Sequence, residues 1–513
     1  MCLNCGSGVS RRNFLTAAGI GTAAALAPVA FAEAADGQTE TKVITGHFDP
    51  GVADFVYLPV QVPAGVSQIS AVYSYDKPTV PSGTPGNSCD IGVFDARGTK
   101  LGGAGFRGWS GGFRDRFSIS RTEATPGYLP GDVMPGTWNI VLGPYQVAPQ
   151  GMNYRVEVTL THGTPGEPFK PNYPPLKARG RGRTWYRGDC HLHTVYSDGK
   201  RLPTEVAAGA REAKLDFITS TDHNTSSSHG VWGEFAGPDL LIILGEEVTT
   251  RNGHWLALGL EPGQFVDWRY RSRDHVLPDY ARQVHESGGL TVAAHPYCPW
   301  VACNFKFGYT DFDAVEVWNG PWTWDDDATV STWDNKLVEF ARGGTGDWLP
   351  AMGNSDAHNP GNVIGLPQNV VLADDLSRDA ILAGIKAGRN WLAESAAVDL
   401  AFTATGPRGQ SAGIGERLDV GTDDKVSVHL DVKGVPNGTV RLITDEGQIL
   451  QQSLDASGSG SVTWLTTPAV SVYVRAEVRH PQTDGTAGAP ALSAGLNFGA
   501  MAAMTNPIFL GRS

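Results

Sequence analysis

Runs in which apolar and polar positions alternate dominate both ends of the chain, and a different grammar occupies its middle. From about Thr41 to Thr161 the segments Asp54-Phe-Val-Tyr-Leu-Pro-Val60, Asp90-Ile-Gly-Val-Phe94 and Tyr154-Arg-Val-Glu-Val-Thr-Leu160 keep a period of two between Gly/Pro/Asn clusters. That pattern predicts strands of an antiparallel β-sandwich over 40–165. Residues 166–184, rich in Pro, Gly and basic side chains, read as a linker. From Trp185 to about Ala396, apolar runs such as Leu240–Leu244, Leu290–Ala294 and Asn369–Leu372 alternate with helix-like segments at Pro203–Lys214, His275–Ser287, Trp333–Ala341 and Ser377–Ala387. This predicts a parallel α/β barrel over 185–396. Period two returns in Lys425–Leu430 and Val470–Ala476, predicting a second β-sandwich over 397–483. In the tail that follows, 484–513, the apolar Asn506-Pro-Ile-Phe-Leu510 is expected to pack back on the body.

The N-terminus follows neither grammar. Ser10-Arg11-Arg12-Asn13-Phe14-Leu15 precedes a small-residue apolar stretch, Thr16 to Ala32, and resembles a twin-arginine signal peptide over 1–34. Ala30 and Ala32, or Ala32 and Ala34, offer cleavage sites, so the mature chain is expected to begin near Glu33 or Ala35 outside the cytoplasm, periplasmic or extracellular. Cys2 and Cys5 leave with the signal. Cys298 and Cys303 are close enough to pair across a loop in such a compartment, whereas Cys89 and Cys190 read as buried small hydrophobes. With 41% hydrophobic and 18% charged residues among 513, the chain is not a disordered one. A formal charge of −13 without a Lys/Arg run excludes generic binding to nucleic acid or anionic lipid. No stretch reaches the ~20 apolar residues of an integral membrane span.

Candidate chemistry concentrates in the middle. Nine of the 13 histidines lie between His191 and His358, and most stand where a strand-like run ends. Gly188-Asp-Cys-His191-Leu-His193-Thr-Val-Tyr-Ser-Asp198 follows the first run and Ser220-Thr-Asp222-His223-Asn224 the second. Gly245-Glu-Glu247 follows the third, and His254 opens the next. Ala294-His295-Pro296 and Asn354-Ser-Asp356-Ala-His358 end two more. In a parallel barrel, the carboxyl ends of the strands converge on one face. Imidazole and carboxylate ligands without thiolate suit Zn²⁺, Mn²⁺ or iron, and a bridging carboxylate holds two ions roughly 3.5–4 Å apart. Ions so held lower the pKa of a water between them and stabilise charge on a phosphoryl or acyl centre.

These motifs, in this order over about 210 residues, resemble the polymerase-and-histidinol-phosphatase (PHP) domain, in its exported branch related to carbaryl hydrolase. The resemblance implies a distorted seven-stranded β/α barrel, flanked here by the two sandwiches, with two or three divalent ions. It implies that His191, His193 and Asp356 bind one ion, that Glu247 bridges it to a second held by His254 and His295, and that Asp198, His223 and His358 hold a third. Glu247 rather than Glu246 fits the family's Gly-x-Glu.

Beside these ligands, Asp222 or His223 is expected to orient the attacking water or the leaving group, and Arg251 to steady an anionic oxygen or to form a surface salt bridge. His275 and His285 read as solvated or capping groups in a helix. His229, in a Ser-rich loop, is a packing residue or a substrate contact. Trp300, Trp322 and Trp324 lie in loops that could wall a pocket for a small-molecule ester carrying a phosphate or aromatic group. The expected function is an exported metal-dependent phosphoesterase. The alternatives are a carboxylic or carbamate ester hydrolase on the same metal site, and a non-catalytic surface or carbohydrate-binding protein.

Overall fold

The computed structural model describes residues 37–299, 303–343, 347–481 and 499–512. The signal segment expected over 1–34 and Trp300 lie outside the described residues. Within them the chain is a mixed α/β protein, mostly strands with four α-helices.

The N-terminal strands are β1 (Thr39–Phe48), β2 (Val56–Val62), β3 (Val66–Tyr75), β4 (Ser88–Phe94), β5 (Phe106–Gly111), β6 (Arg116–Ser120), β7 (Gly136–Gln146) and β8 (Met152–His162). They form two four-stranded antiparallel sheets, β1-β8-β3-β6 and β2-β7-β4-β5. The period-two pattern is the cause. On β8, Tyr154, Val156, Val158 and Leu160 turn inward and share a core with Leu58, Val60, Ile91, Trp138 and Ile140 of the other sheet, while the residues between them face outward.

The middle of the chain contributes β9 (Thr184–Asp189), α1 (Pro203–Glu212), β10 (Phe217–Ser220), β11 (Leu241–Thr250), β12 (Gly253–Leu258), α2 (Leu277–Glu286), β13 (Leu290–Ala293), β14 (Ala314–Asn319), α3 (Trp324–Ala341), β15 (Ala351–Asn354), β16 (Gln368–Ala373), α4 (Arg378–Lys386) and β17 (Asn390–Ala393). The sheet departs from the all-parallel arrangement expected. β10 runs parallel to β9 and β11, but β12 is antiparallel to both β11 and β13, and β16 is antiparallel to β9 and β17. The reason is local: only Arg251 and Asn252 separate β11 from β12, too short for a crossover, so the chain makes a hairpin. No backbone ladder joins β15 to β16. An amide side chain of β16 spans that gap, Asn369 Nδ2 donating to the Gly353 carbonyl at 2.7 Å, and one of β17 reaches β15 as well, Asn390 Nδ2 donating to the Ala351 carbonyl at 2.9 Å. Helix α3 begins nine residues earlier than the apolar periodicity predicts. Buried Asp326 accepts from the backbone N–H of Thr323 (2.7 Å) and Asn319 (3.0 Å), capping the helix end.

The remaining strands are β18 (Asp399–Thr405), β19 (Ser411–Gly413), β20 (Arg417–Leu418), β21 (Val426–Lys433), β22 (Thr439–Thr444), β23 (Gly447–Ser453), β24 (Gly460–Thr466), β25 (Tyr473–Arg479), β26 (Met501–Thr505) and β27 (Ile508–Leu510). One sheet is β19-β18-β21-β24. The other continues the central sheet, in the order β17-β26-β25-β22-β23. The buried C-terminal strand β26 is therefore a seam between two regions that composition alone separates.

The N-terminal sandwich is also docked on the central region. Phe106 stacks on Phe265 with ring centroids 4.0 Å apart, Trp109 meets Trp268 at 4.8 Å, and Arg271 makes two 2.6 Å bonds to the Asp54 carboxylate.

Candidate metal centre

Strand geometry brings the histidine motifs together. β9 leads into His191 and His193, β10 into Asp222 and His223, β13 into His295, and β15 into Asp356 and His358. Short parallel bridges, Leu192 with Ala357 and His223 with Glu247, carry the pairing past the strand ends. His254 lies at the start of its strand rather than the end. Because β12 runs antiparallel, that start pairs with Thr249 near the end of β11, and the Ala294 N–H donates to the His254 carbonyl at 3.2 Å. On β11 successive side chains take opposite faces. Glu247 therefore enters the cluster while Glu246 accepts from the Val266 N–H on the other side.

Around Glu247 the donors fall into overlapping groups whose ligand atoms lie within 4.8 Å of one another: His191, His193, Glu247 and Asp356; His223, Glu247 and His254; His193, Asp198, His223 and His358. His295 joins through Nε2, 3.2 Å from Glu247 Oε1, while His254 Nδ1 lies 2.8 Å from the same oxygen. All nine residues singled out as ligands are thus in one cluster, with His193 and His223 each in two groups.

Six buried atoms of this cluster, His191 Nε2, His193 Nε2, Asp198 Oδ1, Glu247 Oε2, His295 Nδ1 and Asp356 Oδ1, have no hydrogen-bond partner, although His191 Nε2 and His193 Nε2 stand 3.0 to 3.3 Å from Glu247 Oε2 and Asp356 Oδ1. Buried polar atoms are normally satisfied, so this many orphans in one cluster mark a cation site that these residues fit. The outer nitrogens agree. His191 Nδ1 faces Glu316 Oε1 at 3.1 Å and His358 Nδ1 faces the Asp356 carbonyl at 2.8 Å, leaving Nε2 of each for an ion. Burial pushes the Glu247 carboxyl up, yet His223, His191 and His254 reverse that and hold it well below the usual range. Burial, with His358 and His223 beside it, lowers His193. Its ring stacks 3.9 Å from His358 and 4.3 Å from His223. Backbone strain concentrates here too: His295 (φ +26°), Asp356 (φ +48°) and Asn224 (φ +52°) occupy the left-handed region.

Several expected roles change. Asp222 is fully buried and accepts from the Thr194 N–H (2.8 Å), Thr194 Oγ1 (2.8 Å) and Ser197 Oγ (2.7 Å). It therefore holds the loop between His193 and Asp198 and does not face a reacting group. Arg251 turns away, stacking 4.1 Å over Tyr145 and donating to the Asp54 carbonyl at 3.3 Å, so the sandwich rather than an anion engages it. His229 is buried, with Nε2 against the Gly245 carbonyl at 3.1 Å and Nδ1 accepting from the Gly263 N–H at 3.2 Å, which makes it a pin between loops. His275 precedes α2 instead of lying in it, and His285 bonds Asp313 at 2.7 Å. Trp322 is engaged with Asp327 and Arg479, whereas Trp324 is 56% exposed. Cys298 and Cys303 form a disulfide in the loop after His295.

Sequence reasoning missed Glu316. Fully buried on β14, it accepts from the His295 N–H (2.9 Å), Asn354 Nδ2 (2.8 Å) and Asn319 Nδ2 (3.0 Å) while facing His191, and so ties three ligand-bearing segments together. The available signal was a lone carboxylate in the apolar run Ala314-Val-Glu-Val317. Asp189 was missed as well; burial raises it to about 6, and it accepts from Ser355 Oγ at 2.6 Å and the Gly365 N–H at 2.9 Å.

No family model matches the chain. An uncharacterized protein of Methanocaldococcus jannaschii is 26% identical over 157 residues, covering 26% of this chain and 81% of that protein. A two-domain protein of Bacteroides vulgatus, containing a predicted PHP-like metal-dependent phosphoesterase, aligns with a TM-score of 0.36 and 17% identity over 61% of this chain and 95% of that one. An amidohydrolase of Chromobacterium violaceum, solved with sulfate and no metal, aligns with a TM-score of 0.26 and 18% identity over 35% of this chain and 89% of that one.

Proposed function

We propose that this chain is a PHP-type metal-dependent hydrolase, exported by the twin-arginine route, whose reaction is phosphoester hydrolysis. The observation that carries the metal centre is the set of orphaned buried polar atoms around Glu247. His191, His193, Glu247 and Asp356 would hold one ion; Glu247, His254 and His295 a second; Asp198, His223 and His358 a third. Bound there, divalent ions supply an activated water and neutralise charge that develops on a substrate oxygen. The protein's own part is orientation. Glu316 fixes the ring of His191, Asp222 fixes the loop that ends in Asp198, and burial keeps the donors desolvated. Export is supported by Arg11-Arg12 and its apolar sequel, and by the Cys298–Cys303 disulfide, which suits an oxidising compartment.

Phosphoester chemistry rests on the motif resemblance. A carboxylic or carbamate ester is the second reading, and one observation favours it: Arg251, the expected clamp for an anionic oxygen, is held instead by Tyr145 and the Asp54 carbonyl. The test is initial-rate hydrolysis by the metal-loaded mature chain on matched p-nitrophenyl phosphomonoester, phosphodiester, carboxyl ester and carbamate, with His193→Ala as control. Dominant phosphoester turnover lost in the variant upholds the first reading, and dominant acyl turnover moves the assignment to the second. Turnover unchanged by His193→Ala removes the site from both.

A further inference from the structure

The loop that carries Asp198 is gripped from outside its own region. Arg114, between β5 and β6 of the N-terminal sandwich, donates from Nη1 to the Ser197 carbonyl at 3.0 Å and from Nη2 to the Val195 carbonyl. Between those two carbonyls, that of Tyr196 abuts Gly127 of the same sandwich. A Cβ on Gly127 would lie 3.1 Å from the Tyr196 oxygen and 3.0 Å from that of Trp109, at φ +95°, so only glycine admits this approach. Thr225, two residues beyond His223, donates through Oγ1 to the Gly127 carbonyl at 3.2 Å. The sandwich thus holds both loops that bring Asp198 and His223 together. Asp198 itself places Oδ1 3.2 Å from His358 Nε2 and 3.5 Å from His223 Nε2, without a hydrogen bond to either.

We propose that Arg114 is a positioning residue for the ion held by Asp198, His223 and His358, and that the N-terminal sandwich is for this reason part of the metal centre. The inference rests on the metal-centre reading above. Three successive carbonyls turned to the sandwich leave the next residue, Asp198, to present its carboxylate inward. A planar guanidinium suits the task because its fork reaches two carbonyls at once, whereas a lysine ammonium offers a point charge on a flexible stem. Losing the fork frees the loop, and the ion dependent on Asp198 is the one that escapes. The ions at His191, Asp356 and His254 have no ligand on that loop beyond its anchor, His193.

The test compares the full mature chain with Arg114→Met, Arg114→Lys, Asp198→Ala and Arg271→Ala. Each is loaded with Mn²⁺, desalted, and measured for manganese per chain and for hydrolysis. Arg114→Met is expected to lose the same share of manganese as Asp198→Ala, keep the rest, and drop at least tenfold in kcat, with Arg114→Lys between it and wild type. Arg271→Ala, which cuts a different salt bridge of the same interface, is expected to keep the wild-type manganese content. Wild-type metal content in Arg114→Met overturns the proposal, and so does equal loss in Arg271→Ala, which would show a general interface effect. Arg114→Lys keeps the charge and most of the volume, so it decides the matter if Arg114→Met does not fold. A wild-type chain that retains no manganese sinks the metal-centre reading itself, an outcome distinct from wild-type manganese that survives in Arg114→Met.

Discussion

Two places in this molecule bury a crowd of charges, and they are built on opposite principles. At the junction of α3 and β25, Glu477 accepts from Arg475 (2.8 Å), Arg479 (3.1 Å) and Arg441 (3.3 Å), while Arg475 reaches Asp334 at 2.6 Å and Arg479 reaches Asp327 at 2.9 Å. No buried atom of Arg475, Glu477 or Arg479 lacks a partner. Around Glu247 the same density of ionisable groups leaves six buried atoms without one. The first network is closed, its charges cancelling within the protein. The second is open, completed only by something from outside. Burial and charge alone therefore do not mark a functional site; an unmet demand for a cation does.

Substitutions should separate the two. The largest expected effect is on turnover at the open cluster: His193→Ala should cost about a thousandfold or more in kcat/KM, since a metal centre supplies several kcal/mol of transition-state stabilisation. Stability of the metal-free protein should barely change, as read by denaturant unfolding in chelator. Glu477→Ala should do the reverse, destabilising by about 3–5 kcal/mol because the buried Arg475 and Arg479 and the half-buried Arg441 lose their common acceptor, with near-normal activity per folded molecule. If Glu477→Ala were silent in unfolding, or abolished turnover while folded, the contrast would be broken.

Acid should sharpen it. Burial pushes the Glu477 carboxyl up, but Arg475 and Arg479 more than reverse this and hold it at about 2. A depressed carboxylate contributes its stability in full above the ordinary glutamate value, and loses it as pH falls from about 4.3 through 2. The loss amounts to about 3 kcal/mol. Guanidinium unfolding between pH 7 and 2.5 should show a steeper decline in wild type than in Glu477→Gln, and parallel slopes would contradict the assignment. The smallest effect belongs to Glu316→Gln, which keeps the shape but weakens the hold on His191. Metal affinity there should fall about 10–100-fold, measured by competition with a zinc-sensitive dye. A change below twofold would leave Glu316 a packing residue.

What one dimension made legible follows from what is local in it. Period-two runs mark strands wherever one face is wet, as on β8, whereas Glu247 is preferred to Glu246 only because it fits the Gly-x-Glu of the family the motifs resemble. The His-x-His and Asp-x-His motifs are readable because each is a few residues at one strand end. Strand ends are less legible. The two-residue gap that forces the β11–β12 hairpin and puts His254 at the start of its strand shows only once both strands are known to run up to it. Partnership across the chain is equally hidden. Arg251 looked like an anion clamp by its nearness to Glu247 in sequence, yet Tyr145 and Asp54 hold it. Glu316 looked like one more strand residue, yet it ties His191 to His295.

By itself, then, the sequence determined which side chains are able to ligate and that the middle of the chain differs in kind from its ends, because donor chemistry and hydrophobic period are properties of residues and their near neighbours. Tertiary structure alone decided which carboxylates are satisfied and which are left open, how the β26 seam joins the central sheet to the C-terminal one, and that the N-terminal sandwich reaches the loop of Asp198. Those outcomes depend on groups from separate elements meeting within a hydrogen bond, as Glu247 meets His295 and Arg114 meets Ser197, and only the folded chain brings them there.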